Sequence, residues 1–214
     1  MTGGMAVVGA LLGFAITSTL LILAPGPDSL LVMRNTLRRG RRAGWVTAAG
    51  TVSGLLAWAV AAALGLSALL RASQVGYDIL RLAGAAYLVF LGVSGLRSAR
   101  RAGGSPAPGP DLSGLRARHA YLAGLLSNLL NPKIGVFFVA FLPGFIPAGV
   151  PAAAFSLALG LWFLVETGAW LAALAWMTAS GAGWLQRPAA RRRLEGLTGI
   201  ALIGIGLGLA ADTR

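Results

Sequence analysis

The sequence predicts an all-α polytopic membrane protein: six transmembrane helices in two inverted three-helix halves, with helices 1 and 4 broken at proline. Three observations carry this expectation. Apolar residues come in long uncharged blocks, and only 11% of the 214 residues are charged, where a soluble domain carries about 25%. Arginines gather in every second loop between the blocks. The first and fourth blocks are each interrupted by a proline followed at once by a charge, Pro27-Asp28 and Pro132-Lys133.

Block one, Met5 to Ala24, lacks the basic n-region of a cleaved signal and exceeds the usual apolar core of one. After Pro25-Gly26-Pro27-Asp28 it continues apolar to Met33 and then meets Arg34, Arg38, Arg39, Arg41 and Arg42. Block two, Ala43 to Leu70, is uncharged. Its Gly50-Thr51-Val52-Ser53-Gly54 has the spacing that lets a second helix approach closely, and packing is the reading taken for it. Arg71, Asp78 and Arg81 lead into block three, Ile79 to Leu96. Residues 98–118 hold a run rich in glycine and proline, Gly103 to Pro110. They read as a flexible cytoplasmic linker between a first half, 1–97, and a second, 119–214. Block four, His119 to Phe145, is broken at Asn131-Pro132. Block five, Ala152 to Ser180, carries Glu166 near its middle. Arg187, Arg191, Arg192 and Arg193 precede block six, Leu194 to Ala211.

Loops one, three and five hold fourteen of the seventeen arginines. Positive-inside topology then places these loops in the cytoplasm and both termini outside. Each half has three spans, so the second enters the membrane in the opposite sense to the first. The net charge of +12 is explained by these anchors against anionic lipid, and no nucleic-acid partner is expected. The chain has no cysteine, which removes disulfides, thiolate metal sites and dithiol redox chemistry. No metal or other cofactor is expected, and the oligomeric state, a homo-oligomer included, is left open.

Paired interruptions at corresponding places in inverted halves are the usual pointer to a transporter site. Asn131-Pro132 and Pro27-Asp28 each read as a helix start, with free amides and a positive dipole end. Such ends favour an anion, for instance a substrate carboxylate. Lys133, the sole lysine, then stands at the wrong end of its own helix for dipole complementarity. A carboxylate nearby would account for it, from a ligand, from Asp28 or from Glu166. Asp28, at the first break, and Glu166, near the middle of block five, are the acids placed away from the block ends that abut the arginine loops, and either is suited to read an ammonium group or carry a proton. Structural roles compete with these: Asp28 as a cap of its own helix, and Lys133 with Glu166 as a plain ion pair. His119 borders the linker and reads as interfacial. Measured along straight helices, Asp28 lies roughly 9 Å and Lys133 roughly 22 Å from the cytoplasmic boundary. At those depths the two residues are able to flank a ligand from opposite sides without touching.

Pro25-Gly26-Pro27-Asp28, Arg39-Gly40-Arg41-Arg42-Ala43-Gly44, Gly84-Ala85-Ala86-Tyr87-Leu88 with Gly92, Asn131-Pro132-Lys133 and Phe141-Leu142-Pro143 together resemble the LysE/RhtB family of amino-acid exporters. The homoserine/threonine-type branch is nearest. The resemblance implies a multi-pass carrier of the bacterial inner membrane that exports amino acids or close derivatives using the proton gradient. Its partners would be a small zwitterionic substrate, protons and membrane lipid. It also implies that Pro25, Gly26, Pro27, Asp28, Asn131, Pro132 and Lys133 belong to the transport site. Glu166 falls in none of these motifs and joins the candidates through its place in an apolar block alone. A metal-cation exporter is disfavoured by the absent cysteine, the single peripheral histidine and the separated acids. An intramembrane enzyme would need Ser127 or Ser156 paired with Lys133, because no histidine lies deep in a block.

Overall fold

A computed structural model describes residues 2–24, 26–72, 74–100, 117–181 and 188–211. Every regular element among them is helical: α1 (Thr2–Leu23), α2 (Pro27–Arg39), α3 (Arg41–Ala72), α4 (Gln74–Arg100), α5 (Ala117–Leu129), α6 (Pro132–Val136), α7 (Ala152–Ala179) and α8 (Pro188–Ala211). A π-helical turn, Phe137–Phe141, and a 3-10 turn, Leu142–Phe145, continue α6. Most of the expected linker, 101–116, lies outside the described residues.

Three helices are long and apolar enough to cross a membrane, over Gly4–Leu23, Arg41–Gly65 and Ala152–Ala179. A fourth span results if Arg118–Leu129 and Pro132–Phe145, bent by 48° at their junction, are taken together. Met5, Val8, Leu12 and Ile16 recur every third or fourth residue along α1 and are all exposed. They form an apolar stripe that water would penalise and lipid accepts. The chain is a multi-pass membrane protein.

Local chemistry sets the helix ends. Proline occupies the first position of α2 and of α6, where its missing N–H costs nothing. Gly40, at φ 81°, stops α2 and returns its amide to the Thr36 carbonyl, while Arg38 and Arg39 sit at the negative end of the helix. Pro143 has no amide to give, and the regular α pattern has already widened into the π turn before it.

An aromatic cluster forms the larger core. Phe137 stacks on Phe163 of α7 with centroids 4.5 Å apart, and Phe14 of α1 meets Phe145 edge-on at 5.4 Å. Phe14, Phe137, Phe138 and Phe163 are all but fully buried. A smaller core joins Val32 of α2 and Ala48 of α3 to Leu171, Leu174 and Ala175 of α7.

The crossing of α3 and α5 is closer still. A Cβ on Gly50 would collide with the Tyr121 carbonyl, and one on Gly124 with the Thr47 carbonyl. The GxxxG pattern is therefore a packing seam, and Tyr121 Oη donates across it to Ser53 Oγ at 2.7 Å. α4 packs along α8 in a similar way, where a Cβ on Gly199 would lie 2.7 Å from the Gly92 carbonyl.

Candidate functional site

The two chain interruptions meet. Asp28, in the first turn of α2, is buried, and its carboxylate accepts from Ser127 Oγ at 2.6 Å, Asn128 Nδ2 at 3.1 Å and Asn131 Nδ2 at 3.2 Å. All three donors come from the end of α5 and the break that follows it. Asp28 is therefore not a cap for its own helix: the N-cap of α2 is Gly26, with no side-chain bond. Three donors, with the amide end of α2 behind them, suit a full negative charge in an apolar setting.

Asn131 serves both helices. Its Nδ2 holds Asp28, while its Oδ1 accepts from the Lys133 amide at 3.1 Å and caps α6. Asn128 Oδ1 has no hydrogen-bond partner and faces Gly54, where a Cβ would stand 2.7 Å from it. The seam between α3 and α5 thus seats the amide that reads Asp28.

Lys133 reaches the other way. Its Nζ donates to the carbonyls of Leu21 at 3.1 Å and Ala24 at 3.2 Å, at the open C-terminal end of α1. An ammonium there complements the negative end of the helix and satisfies carbonyls that have no amide partner in α1. The position that looked wrong for α6 is right for α1. A Cβ on Gly26 would lie 3.2 Å from Nζ, which places the interruption's glycine directly beside the ammonium. Pro27 and Pro132 begin their helices on either side of this junction. Pro25 lies outside the described residues.

Glu166 stands apart, half-buried on α7. It accepts from Ser18 Oγ at 2.6 Å and from Thr19 Oγ1, both on α1. It does not pair with Lys133, which is committed one turn further along the same helix. Among the sequence candidates the structure thus joins Gly26, Asp28, Asn131 and Lys133 at one junction and ties Glu166 to it through α1. Asp28 and Lys133 are gripped from different directions, Asp28 by side chains at the end of α5 and its break and Lys133 by carbonyls at the end of α1.

Four polar partners were not among the candidates: Ser18, Thr19, Ser127 (weighed only as a nucleophile) and Asn128. Ser127 and Asn131 are one helical turn apart just before a proline break in an uncharged block, which is a readable signal. Ser18 and Thr19 carried none. Among the described residues, no group of three or more His, Cys, Asp or Glu is placed to hold a metal ion. A groove of about 580 Å³ opens between Ala6–Ala10 of α1 and the turn Gly144–Ala148, and none of the charged residues lines it. Asp28 is buried and Lys133 half-buried, and each charge is held by protein groups.

A family model described as LysE type translocator matches residues 19–213. An uncharacterized membrane protein of Bacillus subtilis (strain 168), YrhP, is 29% identical over 203 residues, spanning 92% of this chain and 97% of that protein. The homoserine/homoserine lactone efflux protein of Salmonella typhi is 30% identical over 202 residues, 92% of this chain and 94% of its own length. The threonine efflux protein of Escherichia coli (strain K12) is 30% identical over 117 residues, or 55% of this chain and 57% of that protein. No solved structure matches.

Proposed function

The chain belongs to the LysE type translocator family, and from that premise we propose that it exports amino acids or close derivatives across the bacterial inner membrane in exchange for protons. The observation that carries this reading is that Asn131, at the second break, bonds Asp28 of the first, while Lys133 beside it bonds the carbonyls at the end of α1. Their present partners are also the partners a zwitterion needs. Leu21 and Ala24 offer carbonyls, and Asp28 a carboxylate, to a substrate ammonium. Lys133, Ser127 and Asn131 offer donors to a substrate carboxylate. Gly26, Pro27 and Pro132 keep the two backbone breaks open for this exchange of partners, and Pro25 belongs with them. Glu166 serves the proton side of the cycle. Relatives named for threonine efflux and for homoserine and homoserine lactone efflux make these compounds the first substrates to test.

The architecture in this reading is six spans in two inverted halves, 1–97 and 119–214, joined by a cytoplasmic linker, with both termini outside. The arginine-rich loops support the sidedness. The pairing of α4 with α8, the last helix of each half, supports the division.

The test is counterflow of labelled threonine and homoserine in proteoliposomes. Wild type accumulates label, and Asp28→Asn and Lys133→Gln, present in the membrane at wild-type levels, do not. Unchanged counterflow in both variants would remove this site from the transport path.

A further inference from the structure

Aromatic rings fill the space between α1 and the chain that follows Lys133. Phe137, Phe141 and Phe145 recur every fourth residue. Their consecutive centroids are 5.8 and 5.1 Å apart, so the three rings form a column. Phe14 of α1 closes it from the other side, 5.9 Å from Phe137 and 5.4 Å from Phe145. Lys133 meets the carbonyls of Leu21 and Ala24, while Phe145 lies beside Gly13, so the two segments run in opposite directions. One end of the column is therefore at the charge junction. The other end is open: Phe145 is half-buried and lines the groove of about 580 Å³ together with Ala6, Gly9, Ala10 and Gly144. Along α1, Phe14 stands about 6 Å from Ala10 of the groove, and Leu21 about 10 Å beyond Phe14.

The column stands on backbone suited to rearrangement. Phe137–Phe141 is a π turn, ended by the Leu142 amide on the Phe137 carbonyl, and Leu142–Phe145 is a 3-10 turn around Pro143, which has no amide. Such turns are less regularly bonded than an α-helix, and π turns recur at functional sites. Neighbouring helices meet this segment with glycine. A Cβ on Gly84 of α4 would collide with Ala140, one on Gly160 of α7 would lie 3.3 Å from Phe138 Cε1, and one on Gly13 would lie 3.3 Å from Phe145 Cε1. Phe145 thus has a bare surface to turn against and a groove to turn into, whereas Phe14 and Phe137 are all but fully buried. The groove is not the lipid stripe of α1: Met5, Val8, Leu12 and Ile16 occupy one face, and Ala6, Gly9 and Ala10 the flank beside it.

We propose that Phe145 is the outer gate of the export path, parting from Phe14 and Phe141 to let substrate pass from the Asp28–Lys133 junction into the groove, an assignment that rests on the export reading above. With both termini outside, the groove lies toward the outer end of α1, and its occupant is water and the leaving substrate rather than an acyl chain. While the rings touch, the column is an apolar constriction that excludes water and ions. A carrier that exposes its site to one side at a time needs such a seal while the site is loaded from the cytoplasm. A swing of Phe145 breaks the two ring contacts nearest the groove and leaves Phe14 against Phe137.

The chain has no cysteine, so a single introduced thiol reports its own surroundings. In intact cells, Ala10→Cys in the groove wall is expected to react with a charged, membrane-impermeant methanethiosulfonate added outside. Ala24→Cys, in the same core cluster beyond the rings, is expected to be protected, and to lose that protection when combined with Phe145→Ala or with the milder Phe145→Leu. In proteoliposomes, Ala10→Cys should keep counterflow of labelled threonine or homoserine until the reagent is added and lose it afterwards. If Ala10→Cys reacts with a lipid-soluble maleimide and not with the charged reagent, the groove belongs to lipid and the gate is overturned. Ala24→Cys that stays protected in both Phe145 variants overturns it too, as does counterflow that survives full modification of Ala10→Cys. Each of these results leaves the export reading standing. Failure of that reading shows separately, as wild-type protein without counterflow, and takes the gate with it.

Discussion

Asn131 Nδ2 donates to Asp28 Oδ2 across 3.2 Å, joining residues 103 positions apart, while Oδ1 of the same amide caps the helix that carries Lys133. One neutral side chain thus sets the relation between two opposite charges. Asp28 depends on three side-chain donors from the α5 end, and Lys133 on two carbonyls from the α1 end.

Asn131→Ala removes both functions of the amide. The lost cap costs about 1 kcal/mol, and the lost bond to a buried carboxylate about 2 kcal/mol. Thermal unfolding in detergent should fall clearly below wild type, and Asn131→Asp should be worse because it sets a second carboxylate beside Asp28. An unshifted melting temperature in Asn131→Ala would show that the amide is not holding the junction.

Replacing Lys133 separates charge from shape. Lys133→Met leaves the Leu21 and Ala24 carbonyls without their donor. Lys133→Arg keeps the charge but carries a planar fork in place of a compact ammonium. Counterflow is expected to vanish in the first and drop severely in the second, with both proteins inserted. Wild-type transport by Lys133→Met would mean that the ammonium is dispensable.

Glycine substitutions should sort by what surrounds them. A Cβ at Gly54 meets Asn128 Oδ1 at 2.7 Å and Asn128 Cβ at 2.9 Å, whereas one at Gly65 meets nothing within 4 Å. Gly54→Ala is expected to destabilise by about 1–3 kcal/mol through overpacking and to depress counterflow by displacing the amide that holds Asp28. Gly65→Ala should be neutral or stabilising by up to about 1 kcal/mol from helix propensity. Equal melting temperatures for the two variants would deny the tight α3–α5 seam.

Ser127 donates to Asp28 at 2.6 Å, while Lys133 Nζ donates to the Leu21 and Ala24 carbonyls, so the serine–lysine pair that an intramembrane enzyme would need is not formed. Ser127→Ala should weaken counterflow without abolishing insertion, and a serine-reactive phosphonate should leave the wild-type protein unlabelled. Labelling that Ser127→Ala abolishes would revive an enzymatic reading.

Much of the frame was readable from residue order. The apolar blocks, the helix starts at Pro27 and Pro132, the cap at Asn131 and the packing role of Gly50 and Gly54 all follow from rules that act within one or two helical turns. The partners of the charges did not follow. Straight-helix depths take no account of the 48° bend between Arg118–Leu129 and Pro132–Phe145, so they say nothing of which groups each charge meets. Lys133 looked misplaced on its own helix, since nothing in the local sequence announces that a different helix ends beside its ammonium.

The sequence alone determined that the chain is a helical membrane protein of the LysE type, because lipid demands uncharged blocks and internally bonded backbone, and both leave their mark on local composition. Tertiary structure alone decided that Asp28 meets Ser127, Asn128 and Asn131, that Lys133 closes α1, and that Glu166 meets Ser18. These pairings span 99 to 148 positions. They depend on how each helix is rotated, and a shift of one residue turns a side chain by roughly 100°. No local pattern carries that angle; only the packing of whole helices against one another sets it.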